Sequence, residues 1–134
     1  MLVIALLLED VIEEYMTTYL EDEIVQDKLT TEEWALLKQI KAFLEVMKQS
    51  TKSLEGFKHG LDRVLPSMDF ILAHFEKAKG TYTDDEKMKT MVNAGWQKMN
   101  KYYNKTDQSP AYATALLLNP SRKWQYINRF WKLE

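Results

Sequence analysis

The chain has 134 residues, enough for one domain of ordinary size with a buried core. Four Gly and three Pro are too few turn-forming residues for a fold of many strands, and the absence of cysteine excludes disulfides and thiolate metal sites. The net charge of −2 hides an asymmetry. Residues 1–33 carry ten Asp/Glu against one Lys, a net of −9, whereas residues 34–134 carry a net of +7. Such an imbalance is typical of a surface that faces nucleic acid, or of two faces that attract each other.

The first predicted helix runs from Val3 to Ile24, with its apolar residues recurring at helical spacing and facing inward. The apolar run Leu2–Leu8 is too short to cross a bilayer. It has no basic flank and is followed at once by Glu9 and Asp10, so we expect a buried first turn of helix and no signal peptide. The expected inward stripe consists of Ile4, Leu7, Leu8, Val11, Ile12, Tyr15, Met16 and Tyr19.

The second predicted helix begins with a capping box. After a short connection at Gln26–Lys28, the Thr30 hydroxyl caps the helix while Glu33 reaches back to the same turn. We expect this helix to end around Ser50–Ser53, where Ser and Thr side chains compete for backbone hydrogen bonds. Its apolar side consists of Trp34, Leu37, Ile40, Phe43, Leu44 and Met47.

The third predicted helix spans Leu54 to Lys79. Pro66 lies inside its apolar pattern and predicts a kink or a break, because proline removes a helix hydrogen bond and crowds the preceding turn. Gly80 is the predicted end of the helix. The residues expected to face inward are Leu61, Val64, Leu65, Met68, Ile71, Leu72 and Phe75.

The fourth predicted helix covers about residues 84–104 and begins with a second capping box, formed by Thr83 and Glu86. Gly95 beside Trp96 predicts the close approach of another helix, because glycine leaves room there. The apolar stripe of this helix consists of Met88, Met91, Val92, Gly95, Trp96, Met99, Tyr102 and Tyr103.

Two short helices complete the chain. Ser109 caps the first, Pro110 occupies its first position, and it ends at Leu118 because Asn119–Pro120 follows. The second begins near Ser121 and is expected to bury Trp124, Ile127 and Trp131. The pattern therefore predicts an all-α fold, a single compact helical domain of about five to seven helices over residues 1–134.

No constellation of a complete active site is present. His59 and His74, the two histidines, lie fifteen positions apart without a ligand spacing for metal. There is no nucleophile elbow and no glycine-rich phosphate loop. Asp62 and Asp69 lie at i, i+7 on a largely apolar element. They could bind a metal as a pair, but capping, salt bridges or simple solvation are the commoner roles of such carboxylates. We assign neither a catalytic nor a metal-binding residue.

The basic and aromatic carboxy-terminal third is the strongest candidate site. Lys98, Lys101 and Lys105 share one helix face, and Asn100, Tyr102, Tyr103 and Asn104 are interleaved with them. Clustered Lys and Arg bind phosphates independently of sequence. The alternative is a solvated face whose Tyr and Trp point into the core. The candidate DNA-binding residues are Lys98, Lys101, Lys105, Arg122, Lys123, Arg129 and Lys132.

Several sequence strings occur in an order that resembles transposases of the hAT superfamily, in particular the type common in fungal genomes. They are LTTEEW, LPSMDFIL, NAGWQKMNKYYNKTDQSPAYATALLLNP and RKWQYINRFW. The opening DVIEEY also fits the segment that precedes the first string. The resemblance covers most of the chain and is most specific between Val92 and Trp131.

The resemblance implies a place within a larger enzyme. Such transposases use three carboxylates of an RNase-H-like fold to hold divalent metal ions, Mg or Mn, for strand cleavage and transfer. This chain resembles the helical region inserted between the second and third carboxylates, so those acids are expected outside residues 1–134 and no cofactor is expected within them. Also absent from the sequence are an Arg-Trp-Asn-Ser-Thr tract, the zinc-binding BED-type finger and the dimerisation region of the family. Asn119 stands where many relatives have Asp or His, and we expect it only to end a helix.

We therefore expect a transposase-derived helical domain that supports the nuclease core and contacts DNA. Its expected partners are DNA and the remainder of a transposase or another protein, with no membrane, and the resemblance implies a nuclear, otherwise intracellular, location. The alternative is a helical protein-interaction module, or a remnant, without DNA binding. A stand-alone nuclease, a third possibility, is not expected.

Overall fold

The computed structural model describes residues 1–18, 28–55 and 60–131, without the side chains of Lys123 and Phe130. These residues form seven α-helices and one 3-10 turn, and no strand occurs among them, so the predicted all-α fold is confirmed. No helix within the described residues is long and apolar enough to cross a membrane. The elements are α1 (Leu2–Leu7), α2 (Glu9–Thr18), α3 (Thr31–Leu54), the 3-10 turn (Leu61–Arg63), α4 (Val64–Thr81), α5 (Glu86–Thr106), α6 (Pro110–Leu118) and α7 (Lys123–Phe130).

The chain divides into two compact units, Met1–Glu45 and Val46–Glu134, with the boundary inside α3. That residues 1–134 form a single domain stays a prediction. The predicted connection at Gln26–Lys28 is described only from Lys28 onward, where the chain is not helical.

The amino-terminal unit contains α1 and α2, which the sequence predicts as one continuous helix. That prediction is wrong at Leu8, where the chain leaves the helix between Leu7 and Glu9. The predicted buried first turn and inward stripe are also wrong, because neither helix holds a buried residue. Apolar spacing defines one face of a helix, but another element has to cover that face before it is buried. The exposed side chains of the stripe are Ile4, Leu7, Leu8, Val11 and Tyr15, whereas Tyr19 and Ile24 lie outside the described residues.

The helix α3 begins as the sequence predicts. The Glu33 carboxylate accepts a hydrogen bond from the Thr30 backbone N–H at 2.8 Å, and the Thr30 hydroxyl accepts one from the Glu33 N–H at 3.2 Å. This reciprocal pair is a complete capping box. Trp34 in the first turn is 2% exposed, whereas Leu44, predicted on the same apolar side, is 44% exposed.

The end of this helix, predicted around Ser50–Ser53, lies one residue further on, at Leu54. The hydroxyl of Thr51 donates to the Met47 carbonyl, and that of Ser53 donates to the Ser50 carbonyl. Both hydroxyls thus bond back to the preceding turn, an arrangement that helices accommodate without ending.

The predicted third helix is divided in the structure. The helix α3 ends at Leu54, and α4 begins only at Val64, after the 3-10 turn. Pro66 is the third residue of α4, where its missing N–H has no intrahelical partner to lose, so the predicted helix is broken just before Pro66 and is not kinked there. The helix also continues past Gly80 to Thr81. Leu61, predicted to face inward, is exposed.

The helix α5 begins at a different cap from the predicted one. Asp85 is the cap, and its carboxylate accepts a hydrogen bond from the Met88 N–H at 3.0 Å. The hydroxyl of Thr83 instead donates to the Gly80 carbonyl at the end of α4. A carboxylate at this position is favoured over a hydroxyl because it also interacts with the positive end of the helix dipole.

The start of α6 is confirmed. The Ser109 hydroxyl accepts a hydrogen bond from the Ala111 N–H at 3.4 Å, and Pro110 occupies the first helical position. The helix ends at Leu118, as predicted.

The core of the carboxy-terminal unit lies between α4 and α5, while α6 packs against the 3-10 turn, α4 and α7. The predicted close approach at Gly95 is confirmed, because a Cβ atom there would lie 2.7 Å from Cε1 of Phe75. The prediction for α7 is partly wrong: Ile127 is buried and Trp131 half-buried, but the first-turn residue Trp124 is 63% exposed and no described element covers its ring. The buried apolar residues of this unit are Leu65, Phe75, Ala78, Met88, Val92, Leu116 and Ile127.

Candidate nucleic-acid interface

Three of the predicted DNA-binding lysines lie together on the exposed face of α5. Lys98 and Lys105 flank the ring of Tyr102, with their Nζ atoms 5.7 Å and 5.5 Å from its centroid. Lys101 lies on the same face, and all four side chains are exposed. The opposite face of α5 is fixed by buried residues such as Val92, which pack in the core of the unit. This packing holds the lysines toward solvent.

None of these three lysines forms a salt bridge with a carboxylate in the part of the chain that the structure describes. Other lysines of the same unit do so: Lys79 pairs with Glu76 at 3.2 Å, and Lys89 pairs with Glu86 at 3.5 Å. The difference has a simple origin, since no Asp or Glu occurs between residues 87 and 106. The face of α5 therefore carries cations without neighbouring acids on its own helix.

A shallow groove of about 410 Å³ runs along α5 beside these lysines. Trp96 is one of the residues that line it, and Lys79 of α4 lies over the Trp96 ring with Nζ 3.6 Å from the centroid. The groove is lined by Trp96, Gln97, Asn100, Lys101, Asn104, Lys105 and Gln108. Carboxamides and ammonium groups thus alternate along a surface that offers both hydrogen-bond donors and acceptors.

The predicted residues of α7 are only partly described. Arg122 is half-buried and lies close enough to Tyr126 for its charge to act on the tyrosine. Arg129 is exposed and already interacts with another group of the protein. The side chain of Lys123 and the whole of Lys132 lie outside the described part. The structure therefore brings together the three lysines of α5, and it places Arg122 beside a different cluster.

That cluster is centred on Asp69 of α4. Its Oδ2 atom accepts hydrogen bonds from the Tyr126 hydroxyl at 2.8 Å and from Nε1 of Trp131 at 3.2 Å, and Tyr103 of α5 lies close enough to interact with the same carboxylate. Burial first, and then the interaction with Asp69, raise the pKa of both tyrosines above the ordinary range. Asp69 therefore joins α4, α5 and α7. The sequence signal was a carboxylate on an apolar helix, but its partners lie 34 to 62 positions away.

Asp62 has a separate role. Its Oδ2 atom accepts a hydrogen bond from Nδ2 of Asn119, while Oδ1 of Asn119 accepts one from the Ser121 N–H at 2.9 Å. Asn119 thus does more than end α6, because it also connects the following turn to the 3-10 turn. Asp62 and Asp69, considered above as a pair, are engaged by different partners. No group of three or more Asp, Glu or His side chains arranged to bind a metal occurs in residues 1–18, 28–55 and 60–131, and His59 lies outside these residues.

Comparison of the chain with models of protein families, with curated proteins and with solved structures finds no match. The properties of the surface itself therefore carry the functional conclusion. Its distinguishing feature is the group formed by Lys98, Lys101 and Lys105 around Tyr102, which we call the α5 basic face.

Proposed function

We propose that this chain is a helical part of a hAT-type transposase and that the α5 basic face binds DNA. The observation that carries the proposal is the group of three exposed lysines with no carboxylate partner among the described residues. Sequence strings between Val92 and Trp131, which resemble those transposases, cover the same helix and support the same conclusion.

Phosphate binding accounts for a helix face that carries exposed lysines and no neighbouring Asp or Glu. Each ammonium group that neutralises a phosphate releases condensed counterions, and this release drives binding that is independent of base sequence. Lysine side chains are suited to this contact because each presents a compact charge on a flexible stem. Between residues 87 and 133 only Asp107 is acidic, so little repulsion opposes a polyanion along α5, α6 and α7.

The proposed role is DNA contact and support of a nuclease core, with the chemistry supplied elsewhere in the intact enzyme. We assign no catalytic residue to this chain. The Mg or Mn ions of such an enzyme would be held by its three carboxylates, and transposition would take place in the nucleus. The exposed apolar residues of α1 and α2 suit contact with the remainder of the enzyme.

The second candidate function is a protein-interaction module without DNA binding. The observation that favours it is the apolar face of α1 and α2, where Ile4, Leu7 and Val11 are 60%, 77% and 59% exposed. Apolar residues grouped in this way are typical of a surface that binds another protein. The two candidates differ in one measurable property, the affinity of the chain for DNA.

The test compares the wild-type chain with two charge-matched variants by fluorescence anisotropy on a labelled duplex. The first variant neutralises the α5 basic face (Lys98→Gln, Lys101→Gln, Lys105→Gln), and the control neutralises three lysines of α3 and α4 (Lys41→Gln, Lys52→Gln, Lys77→Gln). At about 50 mM salt we expect the wild type and the control to bind alike, and the first variant to bind at least about tenfold more weakly. No binding by the wild type would favour the protein-interaction module, whereas equal loss in both variants would show that DNA binding does not depend on the α5 basic face.

A further inference from the structure

A row of carboxamide side chains runs along the exposed side of α5 and into the turn that follows it. Its members are Gln97, Asn100, Asn104 and Gln108, which we call the carboxamide row. The spacing of three and four residues keeps Gln97, Asn100 and Asn104 on one side of the helix, and Gln108 lies in the turn after it. From Gln97 to Asn104 the row extends about 10 Å along the helix axis, the length of about three base pairs.

The carboxamide row has unused hydrogen-bonding capacity. No side chain of the row hydrogen-bonds to another residue within the described part of the chain. Each carboxamide offers two donor hydrogens and an acceptor oxygen, and all four line the open groove beside the α5 basic face. Core packing does not account for these polar groups, because Gln97, Asn104 and Gln108 are exposed and only Asn100 is half-buried.

Charge and dimensions indicate one occupant for this face. Lys98, Lys101 and Lys105 border the row, so a polyanion that contacts the lysines places its interior groups against the carboxamides. An α-helix with its side chains is about 10–12 Å wide, and the major groove of B-form DNA is about 12 Å wide. Asn and Gln pair with adenine through two hydrogen bonds at its N6 and N7 atoms, both of which lie in that groove.

We propose that α5 lies in the major groove of duplex DNA and that the carboxamide row recognises adenine there, an inference that rests on the proposed DNA binding. The lysines of the α5 basic face lie on one flank of the row, contact the phosphates along one side of the groove and fix the position of the helix. Asn100 and Asn104, about 6 Å apart along the helix axis, face base pairs about two steps apart and contribute most of the sequence preference.

The experiment uses the full chain and three duplexes of equal length, measured at one salt concentration. The first carries an A·T-rich sequence selected from a random pool with the wild-type chain, the second contains only G·C pairs, and the third repeats the selected sequence with 7-deazaadenine. We expect about tenfold preference for the selected duplex over the G·C duplex, the size of one two-bond base contact. The 7-deazaadenine duplex, which lacks the N7 acceptor, should bind like the G·C duplex. This substitution leaves the protein unchanged.

The protein variants separate base contacts from phosphate contacts. Asn100→Ala with Asn104→Ala should lose the preference while keeping the affinity for G·C duplex within about twofold, because phosphate contacts carry no sequence information. Gln49→Ala, which removes an exposed carboxamide of α3, should behave like the wild type. This inference would be overturned by binding to duplex DNA without preference, or by a preference that survives in the double variant or with 7-deazaadenine. It would also be overturned by tighter binding to single-stranded DNA or RNA. Each of these results would leave the proposed DNA binding standing. No binding to any duplex would overturn both.

Discussion

The contact between Gly95 of α5 and Phe75 of α4 makes a sharp prediction about stability. A Cβ atom at residue 95 would lie 2.7 Å from Cε1 and 2.9 Å from Cζ of the Phe75 ring, closer than carbon atoms pack. The ring is 4% exposed and rigid, so it cannot move aside at low cost. We therefore expect Gly95→Ala to destabilise the chain, although alanine is the better helix former.

The expected size follows from two opposing effects. Overpacking a core by one methyl group costs about 1–3 kcal/mol, and replacing glycine by alanine within a helix stabilises by about 1 kcal/mol. The net loss in the free energy of unfolding is about 0–2 kcal/mol, and its midpoint of about 1 kcal/mol corresponds to roughly 3–5 °C in Tm for a chain of this size. The measurement is thermal and urea unfolding followed by circular dichroism.

Gly80 provides the matched control. It also lies in a helix, but a Cβ atom there would meet nothing within 4 Å. Gly80→Ala should therefore stabilise the chain by up to about 1 kcal/mol. Phe75→Leu replaces the ring by a smaller side chain. In the double variant it should remove most of the destabilisation that Gly95→Ala causes. A gain in stability from Gly95→Ala as large as that from Gly80→Ala, or an unchanged cost beside Phe75→Leu, would refute the packing of α4 on α5.

Three further predictions concern the hydrogen bonds that hold the helices. In urea unfolding, Asp69→Ala should lower the free energy of unfolding by about 2–3 kcal/mol, because the half-buried donors of Tyr126 and Trp131 lose a charged acceptor. Asp69→Asn should be intermediate, and equal stability of the wild type and both variants would contradict this. The raised pKa of Tyr103 and Tyr126 stabilises the fold fully below about pH 10, and this stability is lost as pH rises further. In a spectrophotometric titration both tyrosines should ionise after exposed ones, and Asp69→Ala should lower their apparent pKa; simultaneous ionisation of all tyrosines would speak against the cluster. Thr30→Ala should cost about 1 kcal/mol through loss of its cap, whereas Thr31→Ala, inside the same first turn, should change little; the reverse order would disprove the capping box.

Local features of the fold were predictable because their causes lie within a few residues. The capping box at Thr30 and Glu33 and the start of α6 at Ser109 and Pro110 depend on short-range hydrogen bonds that the sequence displays directly. Gly95 was predictable for a related reason, since its lack of a side chain beside Trp96 indicated a close contact.

The remaining features depend on distant partners. The apolar spacing of α1 and α2 correctly indicates helices, yet burial requires a second surface, and in this structure Leu7 and Val11 stay exposed. The choice of Asp85 over Thr83 as the cap of α5 depends on where α4 ends, which spacing alone leaves open by two or three residues. Within the candidate site, helical spacing was sufficient to group the three lysines of α5.

The Asp69 cluster illustrates the limit most clearly. An acid on an apolar helix was visible in the sequence, but its hydrogen bonds to Tyr126 and Trp131 depend on the packing of α7 against the rest of its unit. Arg122, which the sequence grouped with the DNA-binding candidates, lies beside this cluster for the same reason.

The salt dependence of DNA affinity tests the central claim most directly. If Lys98, Lys101 and Lys105 each neutralise a phosphate, replacing all three by Gln should make the slope of log Kobs against log salt shallower by about 2.7, at about 0.9 per phosphate. The control variant at Lys41, Lys52 and Lys77 should keep the wild-type slope. Identical slopes for the wild type and both variants, or a wild-type affinity that does not change with salt, would contradict the assignment of the α5 basic face as a DNA-binding surface.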